Sequence, residues 1–174
     1  GHFANGCLLA RRLAERGVRF IQVYYGNGQP WDSHSKHNET SRKLSADIDQ
    51  PVAALLTDLK NRGMLEDTLV LWGGEFGRTP RVSTLPGEKI PGRDHWAAVY
   101  SALFAGAGVK GGQVIGKSDS KGAYPVTPSF TPYDLGATVY HALGLAPETE
   151  ITDSQNRPMF LNRGRVMETL FGAG

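Results

Sequence analysis

The sequence predicts an α/β domain, a largely parallel sheet flanked by helices, and three observations carry that expectation. Amphipathic helical patterns alternate along the chain with short runs rich in β-branched and aromatic residues. Polar, glycine-rich clusters follow the first two of those runs, where open α/β sheets bind their ligands. The 174 residues, 40% hydrophobic and 21% charged, suffice for one core, so residues 1–174 read as a single domain.

Residues 4–16 place Leu8, Leu9 and Leu13 on one helical face and Arg11, Arg12, Glu15 and Arg16 around the other, with Gly17 as the stop. Val18 to Tyr25 reads as a strand, and the loop Gly26 to His34 follows it directly. A second helix spans about 39–62 on the stripe Leu44, Ile48, Val52, Leu55, Leu56 and Leu59, with a kink or break expected at Pro51 and a stop at Gly63. Asp67 to Gly73 is a strand whose near-continuous apolar run predicts burial on both faces. A loop of about twelve residues follows Thr79-Pro80, of a length that often serves function. An apolar strand is expected at Val99–Ala105 and a short one at Gln113–Ile115. Thr131-Pro132 reads as an N-cap and first helical residue of a helix over about 132–143 that ends at Gly144. The tail shows no clear period.

Composition excludes several functions. A net charge of +2 with scattered basic residues gives no stripe that could follow a nucleic-acid backbone. No apolar run approaches the roughly 20 residues needed to span a bilayer. The single cysteine, Cys7, rules out an internal disulfide framework and a multi-cysteine zinc site, and reads as a buried thiol. The start at Gly1 inside a helical pattern gives the chain the look of something cut from a longer one.

Three clusters carry metal-ligand chemistry. Asp32, His34 and His37 lie in the loop after the first strand, where a carboxylate and imidazoles suit zinc or a similar divalent ion. Glu75, flanked by Gly73, Gly74 and Gly77, ends the next strand. Asp94-His95 forms a second acid–histidine pair, beside Arg93, which could pair with an acid. Arg78 is a candidate anion clamp, because its planar fork matches phosphate or sulfate oxygens. Metals held by such acids and histidines can clamp the attacking and leaving oxygens of a transferred phosphoryl or sulfuryl group.

These residues also resemble a family. Asp67 to Gly77 looks like the sulfatase and alkaline-phosphatase segment in which a strand ends in an Asp-His-Gly metal motif, with Glu75 at the aspartate position and Phe76 at the histidine position. Thr131 to Leu145 is similar to the late helix of sulfatases. With Leu8 to Leu13, Trp31-Asp32-Ser33-His34, Gly74 to Pro80 and Gly92 to Trp96, nearly the whole chain resembles the uncharacterised, sulfatase-like family called domain of unknown function 1501.

The resemblance implies the C-terminal part, or a shortened version, of an alkaline-phosphatase-like domain around a two-metal centre. Asp32, His34 and His95 would serve one metal and Glu75 the other, with His37, Asp94 and Arg93 as additional candidates. It implies a divalent metal (zinc, or alternatively Ca, Mg or Mn), a small-molecule or saccharide sulfate or phosphate ester as substrate, and exported full-length relatives. Two departures stand out. Phe76 cannot bind metal, and nothing resembles the sulfatase Cys-x-Pro-x-Arg signature, so no nucleophile is assigned. A second chain or an N-terminal half would complete the site. The expected function is metal-dependent hydrolysis of sulfuric or phosphoric esters. The alternative is a non-catalytic metal- or anion-binding module.

Overall fold

The strands pair antiparallel, which corrects the parallel sheet that the alternating pattern predicts. The structure, a computed structural model, describes residues 1–84 and 86–172. Within them β1 (Val70–Trp72), β2 (Gly77–Arg78), β3 (His95–Trp96) and β4 (Leu103–Ala105) form a nested hairpin, β1 on β4 and β2 on β3. Parallel neighbours need a crossover connection, usually a helix, to bring the chain back in the same direction. The described residues between β1 and β4 contain no helix and fold back on themselves, so the returning strand runs the other way. The isolated bridge Ser83↔Gly92 continues the hairpin beyond β2 and β3. The expected long loop is therefore the hairpin's tip, although Leu85 within it lies outside the described residues.

The helices follow the sequence pattern closely. They are α1 (His2–Glu15), α2 (His37–Asn61) and α3 (Pro132–Ala142). Each is followed, after one capping residue (Arg16, Arg62 and Leu143), by a glycine: Gly17, Gly63 and Gly144 adopt φ of 81°, 70° and 77°. The next residues, Val18, Met64 and Leu145, donate back to Leu13, Leu59 and Tyr140 at 2.9–3.1 Å. This six-to-one closure satisfies carbonyls the helix end would leave free, and a left-handed residue must stand there, which glycine adopts without a Cβ clash. The helix α2 runs through Pro51 without interruption, contrary to the expected break.

Helices α1 and α2 pack through apolar residues and one charge network. Cys7, Leu44, Ile48 and Leu59 are buried. Arg11, also buried, pairs with Glu15, and its Nε lies 2.8 Å from Asp58. Arg62 reaches the same two acids, Asp58 at 2.7 Å and Glu15 at 2.8 Å.

The start of α3 is fixed by a capping box. Asp134 N–H donates to the Thr131 hydroxyl, while the Asp134 carboxylate accepts from Thr131 N–H at 2.7 Å. The same carboxylate accepts from Arg165 N–H at 2.7 Å, and Met167 N–H donates to the Thr138 hydroxyl, so the tail is laced onto the buried face of α3. The tail, read as patternless, holds the hairpin β5 (Glu150–Thr152) and β6 (Pro158–Phe160) and a short 3-10 turn at Glu168–Phe171. Gln113–Ile115 forms no ladder.

Residues 18–25, expected as a strand, have no ladder partner among the described residues. Their side chains nevertheless alternate. Val23 lies against Gly6, and Tyr25 packs on Phe3 and donates to Asp47 at 2.8 Å. Phe20 and Tyr24 point outward, 66% and 76% exposed. The accessible surface is 12238 Å², against about 8,300 Å² for a folded monomer of this mass. The core is thin for the chain's length, and much apolar surface remains outside it.

Candidate metal centre

Two segments of the chain build the site. The loop after residue 25 turns at Asp32, whose N–H donates to Gln29 O at 3.1 Å, and at Ser33, whose N–H donates to Trp31 O at 3.0 Å. Trp31 anchors this turn edge-on between Tyr25 and Trp72, with ring centroids 5.8 and 6.4 Å away. The second segment is the returning limb of the hairpin, residues 90–96. It lies along residues 34–36, with Ser35 Oγ donating to Ile90 O and Lys36 N–H to Pro91 O, both at 3.1 Å. Gly92 is required where it stands. A Cβ there would lie 1.9 Å from His34 O, so only glycine allows the two backbones to approach this closely.

The β2–β3 register then pairs Arg78 with His95 across the ladder and presents both to Asp32. Asp32 Oδ1 lies 2.7 Å from His95 Nε2, 2.8 Å from His34 Nε2 and 3.0 Å from Arg78 Nη1. Arg78 also donates from Nη2 to Trp31 O at 3.0 Å. The rings of His34 and His95 stack at 5.1 Å, 15° from parallel. His34 Nδ1 lies 2.8 Å from Asp94 Oδ1. Asp94 is held in turn, its N–H donating to the Thr79 hydroxyl at 3.1 Å and its Oδ2 accepting from Ser83 Oγ at 3.4 Å.

The electrostatics follow from these contacts. The hydrogen bond to His95 holds the Asp32 carboxyl below its ordinary range, and Arg78 adds to this against the opposing effect of burial. The hydrogen bond to Asp94 raises the His34 pKa, again against burial and with help from both carboxylates. His37 shifts the other way: burial lowers its pKa, and the charges of Arg78 and Arg93 lower it further.

Asp32, His34 and His95 each offer one ligand atom, all within 4.8 Å of one another. Two imidazoles and a carboxylate are the donor set of three-ligand sites that leave a coordination position open. Bonds of 2.0–2.1 Å in a tetrahedron separate ligand atoms by about 3.3 Å, whereas two of these pairs stand at 2.7 and 2.8 Å. An ion would open the cluster by about 0.5 Å, a shift within the reach of side-chain rotation. The residues fit a divalent metal.

The other expected site residues stand elsewhere. Glu75 is not in the cluster. Its carboxylate is 60% exposed and approaches Arg78 at 3.9 Å. The ring of Phe76 lies 5.3 Å from His95, where a second metal's histidine would be sought. His37 turns away to Ser33 Oγ at 2.7 Å. Arg78, expected as an anion clamp, spends two of its nitrogens on Asp32 and Trp31. Arg93 lines a cavity of about 400 Å³ with Lys36, His37 and Val82, and its buried Nε has no hydrogen-bond partner among the described residues. Ser83 went unnoticed in the sequence, and only its position opposite a glycine in the hairpin could have revealed it.

The chain matches the family described as Protein of unknown function (DUF1501) over residues 1–171, and it belongs to that family. No curated protein and no solved structure matches it. Among the described residues, no helix is long and apolar enough to cross a membrane.

Proposed function

We propose that this chain carries the metal-binding half of a sulfatase-like, alkaline-phosphatase-superfamily hydrolase acting on sulfuric or phosphoric esters of small molecules or saccharides. The observation that carries the reading is the convergence of Asp32, His34 and His95, drawn from two segments 63 residues apart, on ligand atoms within 4.8 Å. A zinc or similar divalent ion bound there would supply Lewis-acid chemistry to an ester oxygen. Asp32 and the two imidazoles would hold the ion. Arg78 would neutralise Asp32 or, released from it, face an anionic substrate. The nucleophile would come from outside these residues, from a second chain or further sequence.

The test is zinc stoichiometry by elemental analysis together with turnover of nitrophenyl sulfate, phosphate and phosphodiester. Stoichiometric zinc and turnover lost in Asp32→Ala/His34→Ala would support the reading. Turnover equal in that double variant would sink it. A second reading, a metal- or anion-binding module without catalysis, is favoured by one observation: Phe76 stands beside His95 where a second metal's histidine would be sought, and the Glu75 carboxylate is 60% exposed. Stoichiometric zinc with no esterase activity would select it.

A further inference from the structure

Asp94 is adjacent in sequence to His95, yet its carboxylate does not join the three ligand atoms. It stands behind His34 instead, 2.8 Å from the Nδ1 that faces away from the cluster. His34 is thus held at both ring nitrogens, by Asp94 on Nδ1 and by Asp32 on Nε2, each at 2.8 Å. An imidazole that gives its Nδ1–H to a carboxylate keeps the Nε2 lone pair free for a metal. The outer carboxylate fixes both the tautomer and the ring plane.

The surroundings of Asp94 are built to hold it. Thr79 grips it twice, accepting from Asp94 N–H at the hydroxyl and donating its own N–H to Asp94 O at 2.9 Å, and Ser83 reaches its second carboxylate oxygen. Gly92 lets residues 90–94 lie directly against the His34 backbone, which sets the distance between the two side chains.

We infer that Asp94 is a positioning residue, not a metal ligand: it orients His34 so that Nε2 faces the ion. The inference rests on the metal reading above, but its geometry can be tested separately. Asp94→Ala should keep one zinc per chain and bind it 10- to 100-fold more weakly, the usual loss when an outer carboxylate is removed. Asp94→Asn, whose amide oxygen still accepts Nδ1–H, should recover part of that loss, which a merely structural role would not produce. Unchanged affinity in Asp94→Ala, or zinc lost altogether as in Asp32→Ala, would overturn the inference, the second by making Asp94 a ligand. Nitrogen-15 spectra of the histidine side chains supply the independent arm, in metal-free protein. A hydrogen-bonded His34 Nδ1–H signal should be present in the wild type and in Asp94→Asn, and lost in Asp94→Ala with circular dichroism unchanged. Should the wild type bind no zinc, the metal reading fails while this signal still decides the pairing; its absence from the wild type would refute the role of Asp94.

Discussion

Replacing Gly92 by alanine places one methyl group where the hairpin meets the ligand loop. The new Cβ would stand 1.9 Å from His34 O, 2.3 Å from His34 C and 2.7 Å from Ser35 N, all backbone atoms that no rotamer can move. Ordinary contact begins at 3.4 Å, so the two backbones must part by about 1.5 Å. The bonds from Ser35 Oγ to Ile90 O and from Lys36 N–H to Pro91 O, both 3.1 Å, cannot survive that separation. Losing them costs about 0.5–1.5 kcal/mol each, and the overpacking itself about 1–3 kcal/mol. With partial relaxation the expected destabilisation is about 2–4 kcal/mol. Equilibrium urea unfolding measures it, and calorimetric zinc titration should show weakened binding, because His34 moves with its backbone. Gly111→Ala is the control: nothing lies within 4 Å of its Cβ, so stability should hold within about 0.5 kcal/mol. A Gly92→Ala protein as stable as this control, with unchanged zinc affinity, would refute the close-approach argument.

Three other perturbations follow from the contacts described. Asp134→Ala removes the acceptor of Thr131 N–H and Arg165 N–H and strands these donors, so urea unfolding should show a loss of about 2–5 kcal/mol. Burial pushes the Asp134 carboxyl up, but the donors from Arg165 and Thr131 outweigh it and hold the pKa below the ordinary value. With the folded value depressed, this contribution is complete above the unfolded pKa of about 4 and is lost as the pH falls through the folded one, a dependence that unfolding curves of Asp134→Asn should lack. Arg11→Ala leaves Arg62 alone between Glu15 and Asp58 and should destabilise the α1–α2 pair by about 1–2 kcal/mol in the same assay, mostly through lost packing of its buried stem. Zinc affinity at the proposed site should fall with acidification, since His34, whose pKa the hydrogen bond to Asp94 raises, must bind the ion neutral, and calorimetry in buffers of different ionisation enthalpy should register proton release on binding.

The helices were legible because their signals are local. The apolar period, the glycines after residues 16, 62 and 143, and the Thr131-Pro132 start all act within one or two turns. Pairing direction is not local. Strands of two and three residues carry no sequence mark of their partner, and only the lack of a helix among the described residues between β1 and β4 argued against a parallel return. The same contrast divides the site. Asp32, His34 and His95 were recognisable as ligand types, but the role of Asp94 depends on which nitrogen of His34 it faces, a matter of three-dimensional placement. Glycines and a strand end mark Glu75, and they fit equally an acid that points into solvent, as its 60% exposed carboxylate does. Phe76 was the local sign that the position the resemblance gives to a second histidine ligand holds a side chain that cannot bind metal.

The unladdered segment 18–25 shapes how this chain behaves in bulk. From Arg19 to Tyr25 no backbone amide or carbonyl has a partner among the described residues, and Phe20 and Tyr24 stand beside that open edge. Such a ribbon is a template: its amides should exchange with solvent far faster than those of the helices, and any extended apolar strand that meets it would gain a row of hydrogen bonds. Concentrated alone, the chain should creep toward edge-to-edge oligomers, and Phe20→Lys should slow that growth as followed by light scattering.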